Sequence, residues 1–239
     1  MSPPPWSPRP LTVHVIPQNQ VDPDELARIL RRPAAVIGAP TDSTYGLVAR
    51  AADTAAVERV YQLKDRPREK PLVCLLGSLV WIERYCLPVN EQWRRLALSC
   101  WPGPCNLVLP AGPAMPVAPL AGGSTVAVRI PDNPLLQRLL DRLDEPLVAP
   151  SANPDAAPAS LNATGVAEYF PEGLELIIDG GASWSALGSS IVDFSTSPPR
   201  LLREGGIGRT CLEALLGGPL DFQVTPSAQL SGDSGETVS

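Results

Sequence analysis

The sequence predicts a single α/β domain built on a twisted, open, mixed sheet with helices packed against it. Short apolar runs of strand length alternate along the chain with segments whose apolar residues recur every three or four positions. Several of those runs are continuous, as in strands covered on both faces. The chain has 239 residues, 44% of them hydrophobic, which is enough to fill one large core.

Taken in order, Asp22-Pro23-Asp24-Glu25 reads as a helix start, with proline in the first turn and acids complementing the helix dipole. Leu26, Ile29 and Leu30 follow at helical spacing. Ala34-Ala35-Val36-Ile37 reads as a buried strand leading to Pro40-Thr41-Asp42-Ser43-Thr44-Tyr45-Gly46. Small hydroxyl residues closed by glycine suit a loop that lets a ligand approach, and suit a plain turn equally. Asp53 reads as a helix cap, and Val57, Val60 and Tyr61 mark the face that this helix buries. Lys64 continues the same stripe and is therefore directed toward the protein body. Pro67 stops the helix and biases Arg66 toward extended backbone, so Lys64 and Arg66 can reach one side together. The stretch Lys64-Asp65-Arg66-Pro67-Arg68-Glu69-Lys70 is either a solvated charged loop or an anion site.

Residues 71–76 read as a further buried strand, and residues 91–99 as a helix burying Trp93, Leu96 and Ala97. Trp101-Pro102-Gly103-Pro104 must form a tight connection into a strand at residues 106–109. In residues 125–130, Val126, Val128 and Ile130 face one way and Thr125, Ala127 and Arg129 the other, which makes either a polar pocket wall or an exposed sheet face. Residues 133–143 form an amphipathic helix through Leu135, Leu136, Leu139 and Leu140. Leu147-Val148-Ala149 is a short strand running into Pro150-Ser151-Ala152-Asn153. Open α/β sheets place ligands at the carboxyl ends of their strands, so Ser151 and Asn153 are candidates by position, with a simple turn as the alternative. Late strands are expected at residues 175–178, 190–194 and 200–203.

Composition narrows the chemistry. Cys74, Cys86, Cys100, Cys105 and Cys211 form no CxxC pair, which argues against a disulfide framework or a zinc site and for buried free thiols. The single histidine, His14, excludes histidine triads and multi-histidine metal sites, so no protein-bound metal is expected. No apolar run is long enough to cross a membrane and residues 1–10 lack the apolar core of a signal peptide, so no membrane partner and a cytoplasmic location are expected. A net charge of −6 disfavours a general nucleic-acid coat, so anion binding must rest on a local cluster. Residues 1–19 are a Pro-rich leading segment, 20–216 the globular domain and 217–239 a flexible polar tail.

In order along the chain, Thr41-Asp42-Ser43-Thr44-Tyr45-Gly46-Leu47, Leu63-Lys64-Asp65-Arg66-Pro67, Trp101-Pro102-Gly103-Pro104, residues 126–131, Ser151-Ala152-Asn153, Ile178-Asp179-Gly180-Gly181, residues 189–193 and Leu202-Arg203 together resemble the YrdC-like (TsaC) family. The resemblance implies a YrdC-like fold with a basic concave cleft. It also implies L-threonylcarbamoyladenylate synthase activity, a nucleotidyl transfer that makes threonylcarbamoyl-AMP and pyrophosphate from L-threonine, bicarbonate and ATP. The product would serve t6A modification of tRNA through a downstream threonylcarbamoyl transferase.

By the same resemblance the KxR and SxN signatures fall on Lys64 and Arg66 and on Ser151 and Asn153. Lys64 and Arg66 would be catalytic. Ser43, Arg129 and Ser151 would hold threonine, and Arg66, Lys70, Thr125, Asn153, Ser189 and Arg203 would hold ATP, with Mg2+ carried by the nucleotide. This chain departs from the family pattern at Pro154-Asp155-Ala156-Ala157, where many relatives have a Ser-Gly turn, at Leu75 and at Asn106. It is expected to lack the extra carboxyl-terminal domain of longer members. The alternative is a non-catalytic module for double-stranded RNA or the ribosome, and weak RNA binding is the further partner the resemblance allows. The low aromatic content favours the enzyme.

Overall fold

The structure, a computed structural model, describes residues 13–87, 89–183 and 185–222. Its helices begin where local chemistry directs them. Asp22 caps α1 (Pro23–Leu30) by accepting from the Asp24 backbone N–H, and Asn133 caps α5 (Pro134–Leu143) by accepting from those of Leu135 and Leu136. Asp53 caps α2 (Thr54–Lys64) through the N–H groups of Ala55 and Ala56, while its other oxygen accepts from Ala34. The remaining helices are α3 (Leu79–Tyr85), α4 (Gln92–Cys100), α6 (Ala163–Tyr169) and α7 (Arg209–Leu216).

Among the described residues, eleven strands form one mixed sheet: β1 (Val15–Pro17), β2 (Ile37–Pro40), β3 (Tyr45–Arg50), β4 (Val73–Leu75), β5 (Cys105–Pro110), β6 (Thr125–Arg129), β7 (Leu147–Val148), β8 (Ile177–Asp179), β9 (Ser190–Asp193), β10 (Arg200–Arg203) and β11 (Asp221–Phe222). Their order is β1-β8-β2-β3-β7-β4-β6-β5-β9-β10-β11. Parallel pairs such as β4 with β6 are mixed with antiparallel ones such as β2 with β3.

Both faces of the sheet are covered, which explains the continuous apolar runs. Successive side chains of a strand point to opposite faces. Leu47 and Cys74 accordingly join the core packed by α2, α4, α6 and α7, and their neighbours Val48 and Leu75 join the core packed by α1 and α5.

The strand expected at residues 34–37 begins only at Ile37 and runs to Pro40, because Ala34 takes a left-handed turn (φ 57°) to satisfy the Asp53 carboxylate. Tyr45 and Gly46, assigned to the following loop, already belong to β3. The sheet reaches past both expected domain limits. β1 lies within residues 1–19 and pairs in parallel with β8, and β11 lies within 217–239 and pairs in parallel with β10, the strand before it. The rest of those two segments, residues 1–12 and 223–239, lies outside the described residues. The cysteines are free; four are buried, but Cys211 on α7 is exposed.

Candidate active site

Lys64 is the last residue of α2 and is only 2% exposed. The helix ends in a left-handed turn at Asp65, and the Lys64 ammonium donates to the Ser151 and Asn153 carbonyl oxygens, both at 2.6 Å. The KxR and SxN signatures are thereby one hydrogen-bonded unit across 87 residues of sequence. Burial, with Arg66 adding repulsion, lowers the Lys64 pKa from 10.5 to about 8, and Asp155 opposes the fall. An ammonium has three donors, so one N–H remains beyond the two held by carbonyls.

Arg66 leaves this turn toward the same loop. Its guanidinium donates to the carbonyls of Pro71 (3.0 Å) and Lys70 (3.3 Å) and pairs with Asp155 at 3.1 Å. The Lys70 ammonium meets the other Asp155 oxygen at 2.6 Å. The Asn153 side-chain amide donates to the carbonyls of Pro154 and Ala157 and staples the loop that carries Asp155, while its Oδ1 is buried with no hydrogen-bond partner among the described residues.

Arg129, at the carboxyl end of β6, is 3% exposed. One of its nitrogens donates to the hydroxyls of Ser43 (3.2 Å) and Ser189, which are 3.2 Å from each other. Its other terminal nitrogen lies 3.2 Å from the buried Asp42 carboxylate. That pairing attracts without good hydrogen-bond geometry, because both Asp42 oxygens and the Arg129 Nε lack hydrogen-bond partners among the described residues. Burial presses the Arg129 pKa down, and Asp42 partly restores it.

Arg203 at the end of β10 donates from Nε to the Ser189 carbonyl at 2.9 Å and keeps contact with solvent. Surrounding protein and the guanidinium groups of Arg129 and Arg66 depress its pKa, so Arg203 lies within the fields of both. This approach depends on Gly205, where a Cβ would stand 2.4 Å from the Ser189 carbonyl carbon. Ser190 fixes the same crossing by accepting from the Gly205 N–H and donating to the Ile207 carbonyl.

The fold thus gathers Lys64, Arg66, Lys70, Ser151 and Asn153 in one hydrogen-bonded cluster and Ser43, Arg129, Ser189 and Arg203 in a second, and the charge of Arg66 felt at Arg203 relates the two halves of this network. Ser151 enters through its carbonyl. The Ser189 hydroxyl, expected on the nucleotide, sits with Ser43 on Arg129. Thr125 shares a strand face with Arg129 but lies at the far end of β6, about 13 Å along the strand, and no hydrogen bond joins its side chain to the network among the described residues. Asp42 and Asp155 were not identified as site residues from sequence. The first stood inside the quoted hydroxyl loop and the second inside the departing loop, and neither type announces its partner. Two surface cavities of about 380 and 490 Å³ lie elsewhere, beside α2 and between α1 and α5. Among the described residues no group of three or more His, Cys, Asp or Glu side chains is placed to hold a metal ion.

The chain is 37% identical over 186 residues to the threonylcarbamoyl-AMP synthase of Pyrococcus abyssi, covering 78% of this chain and 55% of that protein. It is 35% identical to the enzyme of the same name from Bacillus subtilis, covering 80% and 56%. The chain therefore spans about half the length of these curated relatives. The crystal structure of P. abyssi Sua5 complexed with L-threonine superposes with a TM-score of 0.81 at 32% identity, over 88% of this chain and 62% of that one. The Sua5/YciO/YrdC family model, described as "Telomere recombination", matches residues 30–205, which contain every member of the network. On sequence and fold together, the chain belongs to the Sua5/YciO/YrdC family.

Proposed function

We propose that this chain is an L-threonylcarbamoyladenylate synthase, making threonylcarbamoyl-AMP and pyrophosphate from L-threonine, bicarbonate and ATP. The observation that carries the reading is the buried Arg129 guanidinium, which donates to two serine hydroxyls, faces Asp42 without a hydrogen bond and stands near enough to Arg203 to depress its pKa. A small carboxylate beside a polyphosphate suits that arrangement, and a relative of the same fold was solved with L-threonine bound.

Ser43 and Arg129 then hold the threonine carboxylate, with Ser189 joining them and Ser151 closing the amine side. The amine takes up bicarbonate with loss of water to give a carbamate. A carbamate oxygen attacks the α-phosphorus, and the bond to the pyrophosphate oxygen breaks. No protein nucleophile is required, so catalysis is positioning and charge stabilisation. Lys64, with its remaining N–H, and Arg66 stabilise the charge that moves onto the departing pyrophosphate. Lys70, Arg203, Thr125 and the unpartnered Asn153 Oδ1 hold the nucleotide, and Mg2+ arrives on its phosphates. The adenylate would pass to a separate threonylcarbamoyl transferase acting on tRNA in the cytoplasm.

Because Lys64 and Arg129 are buried, they are out of reach of a duplex backbone, which favours a small anionic ligand over RNA. The test is incubation with ATP, labelled bicarbonate and L-threonine. Pyrophosphate release should require both co-substrates and match the labelled adenylate formed. Release with ATP alone, unchanged by either addition, would identify an ordinary ATPase and overturn the proposal.

A further inference from the structure

The two outer cations of the network are already occupied by an anion belonging to the chain. We propose that Asp155 is an internal competitor for the phosphates: its carboxylate holds Arg66 and Lys70 until nucleotide displaces it, and returns to them as pyrophosphate leaves. The inference rests on the synthase reading for the identity of the ligand.

Several observations separate this role from simple support of Arg66. The Arg66 guanidinium is already fixed by the carbonyls of Pro71 and Lys70, so it keeps its orientation without Asp155. Lys70, by contrast, has its side chain 53% exposed, and its ammonium meets the Asp155 carboxylate. Each Asp155 oxygen faces one cation, 3.1 Å to Arg66 and 2.6 Å to Lys70, the bridging arrangement that two phosphate oxygens would adopt. Lys70 holds the Asp155 carboxyl below the usual carboxylate range, with Arg66 and Lys64 adding to the effect, so it is ionised at neutral pH.

The carboxylate is also placed with care. The Asp155 N–H donates to the Lys64 carbonyl at 2.6 Å, and Asn153 staples the loop on both sides of it. Ala156 holds a left-handed conformation (φ 66°) that glycine would adopt more readily, so the turn presenting Asp155 is maintained at a conformational cost. The Asp155 side chain is 19% exposed, so it has a solvent side toward which it can rotate when displaced.

A ligand that must first free its site has its affinity lowered by the fraction of sites that are free. Two partly exposed ion pairs make that factor about tenfold. Asp155→Asn keeps the shape and removes the charge, and Asp155→Ala removes the side chain. Titration calorimetry with inorganic pyrophosphate and with ATP should show both variants binding about tenfold tighter than wild type, with threonine affinity unchanged. Steady-state kinetics should show a lower KM for ATP together with stronger pyrophosphate inhibition and slower turnover at saturating substrate. Unchanged or weaker pyrophosphate binding in both variants would overturn the proposal and make Asp155 a support for the cations. The two readings fail separately. Tighter binding without any adenylate formation would leave the competitor standing and remove the synthase, whereas adenylate formation with unaltered pyrophosphate affinity would do the reverse.

Discussion

Replacing Lys64 with methionine separates its two duties, because methionine keeps most of the buried stem and removes only the ammonium. The loss side is two charge-assisted hydrogen bonds to the Ser151 and Asn153 carbonyls, about 1.5–3 kcal/mol each. Against this stands the relief of burying a charge. The fall of the Lys64 pKa from 10.5 to about 8 corresponds to about 3 kcal/mol by which the fold disfavours the ammonium. The net destabilisation is therefore about 0–3 kcal/mol, which a domain of this size survives. Turnover should fall far more, by roughly two to three orders of magnitude, the range for removing one preorganised charge stabiliser. Urea unfolding followed by tryptophan fluorescence gives the first quantity and labelled adenylate formation the second. A stability loss above about 5 kcal/mol would mean that the carbonyls, and not the reaction, are the reason for Lys64. Turnover within threefold of wild type would remove Lys64 from the reaction altogether.

Further predictions follow from the same geometry. Arg129→Met should raise the apparent threonine constant by an amount equivalent to about 2–4 kcal/mol and destabilise the fold by leaving Asp42 buried and unpaired. Adding Asp42→Asn should recover stability but not threonine binding, and recovery of both would reassign Arg129 to structure. The pH dependence has a definite sign. The folded Lys64 pKa, about 8, lies below its unfolded value of 10.5, so the native state binds fewer protons between them and the Lys64 contribution to stability rises with pH across that window. Unfolding titrations at pH 7 and pH 10 should show this rise in wild type relative to Lys64→Met, and equal slopes would contradict the burial argument. Gly205→Ala must push the chain off Ser189, so it should lower the melting temperature and weaken threonine and ATP together; an unchanged melting temperature would show that the crossing yields easily.

What could be read from sequence was what local chemistry determines. The caps at Asp22, Asp53 and Asn133 bind N–H groups two or three residues away, so α1, α2 and α5 begin where expected. The inward aim of Lys64 follows from its place on the stripe of Val57, Val60 and Tyr61. Helices α3 and α6 escaped notice because seven residues hold too few repeats to display a period. β3 escaped because Tyr45-Gly46 resembles a turn until Gly46 is seen bridged to Ser151, where a Cβ would meet the Pro150 carbonyl at 3.3 Å. Lys64, Arg66 and Lys70 stood out as a local cluster of cations in an acidic chain, Arg129 as a cation on a strand face, and Arg203 only through the family resemblance. Their carboxylate partners did not stand out, because Arg66 meets Asp155 across 89 residues and Arg129 meets Asp42 across the sheet, and no local pattern encodes such pairs.

The partners chosen for each cation explain how an acidic protein keeps a field for anions. A carboxylate partner cancels a cation, whereas a carbonyl or hydroxyl holds it in place and leaves its charge available to a ligand. Lys64 is held by two carbonyls, Arg203 by the Ser189 carbonyl and Arg66 largely by those of Pro71 and Lys70. The two carboxylates stand where cancellation has a separate use. Asp42 sits 3.2 Å from the deepest guanidinium, which could not otherwise be buried, and Asp155 sits at the solvent side, where an arriving phosphate can replace it. Cancellation inside and exchange outside leave Lys64 and Arg203 as the cations of the network without a carboxylate partner among the described residues, joined by Arg66 once Asp155 gives way, and under the proposed synthase reading that is where the α-phosphorus and its leaving group would lie.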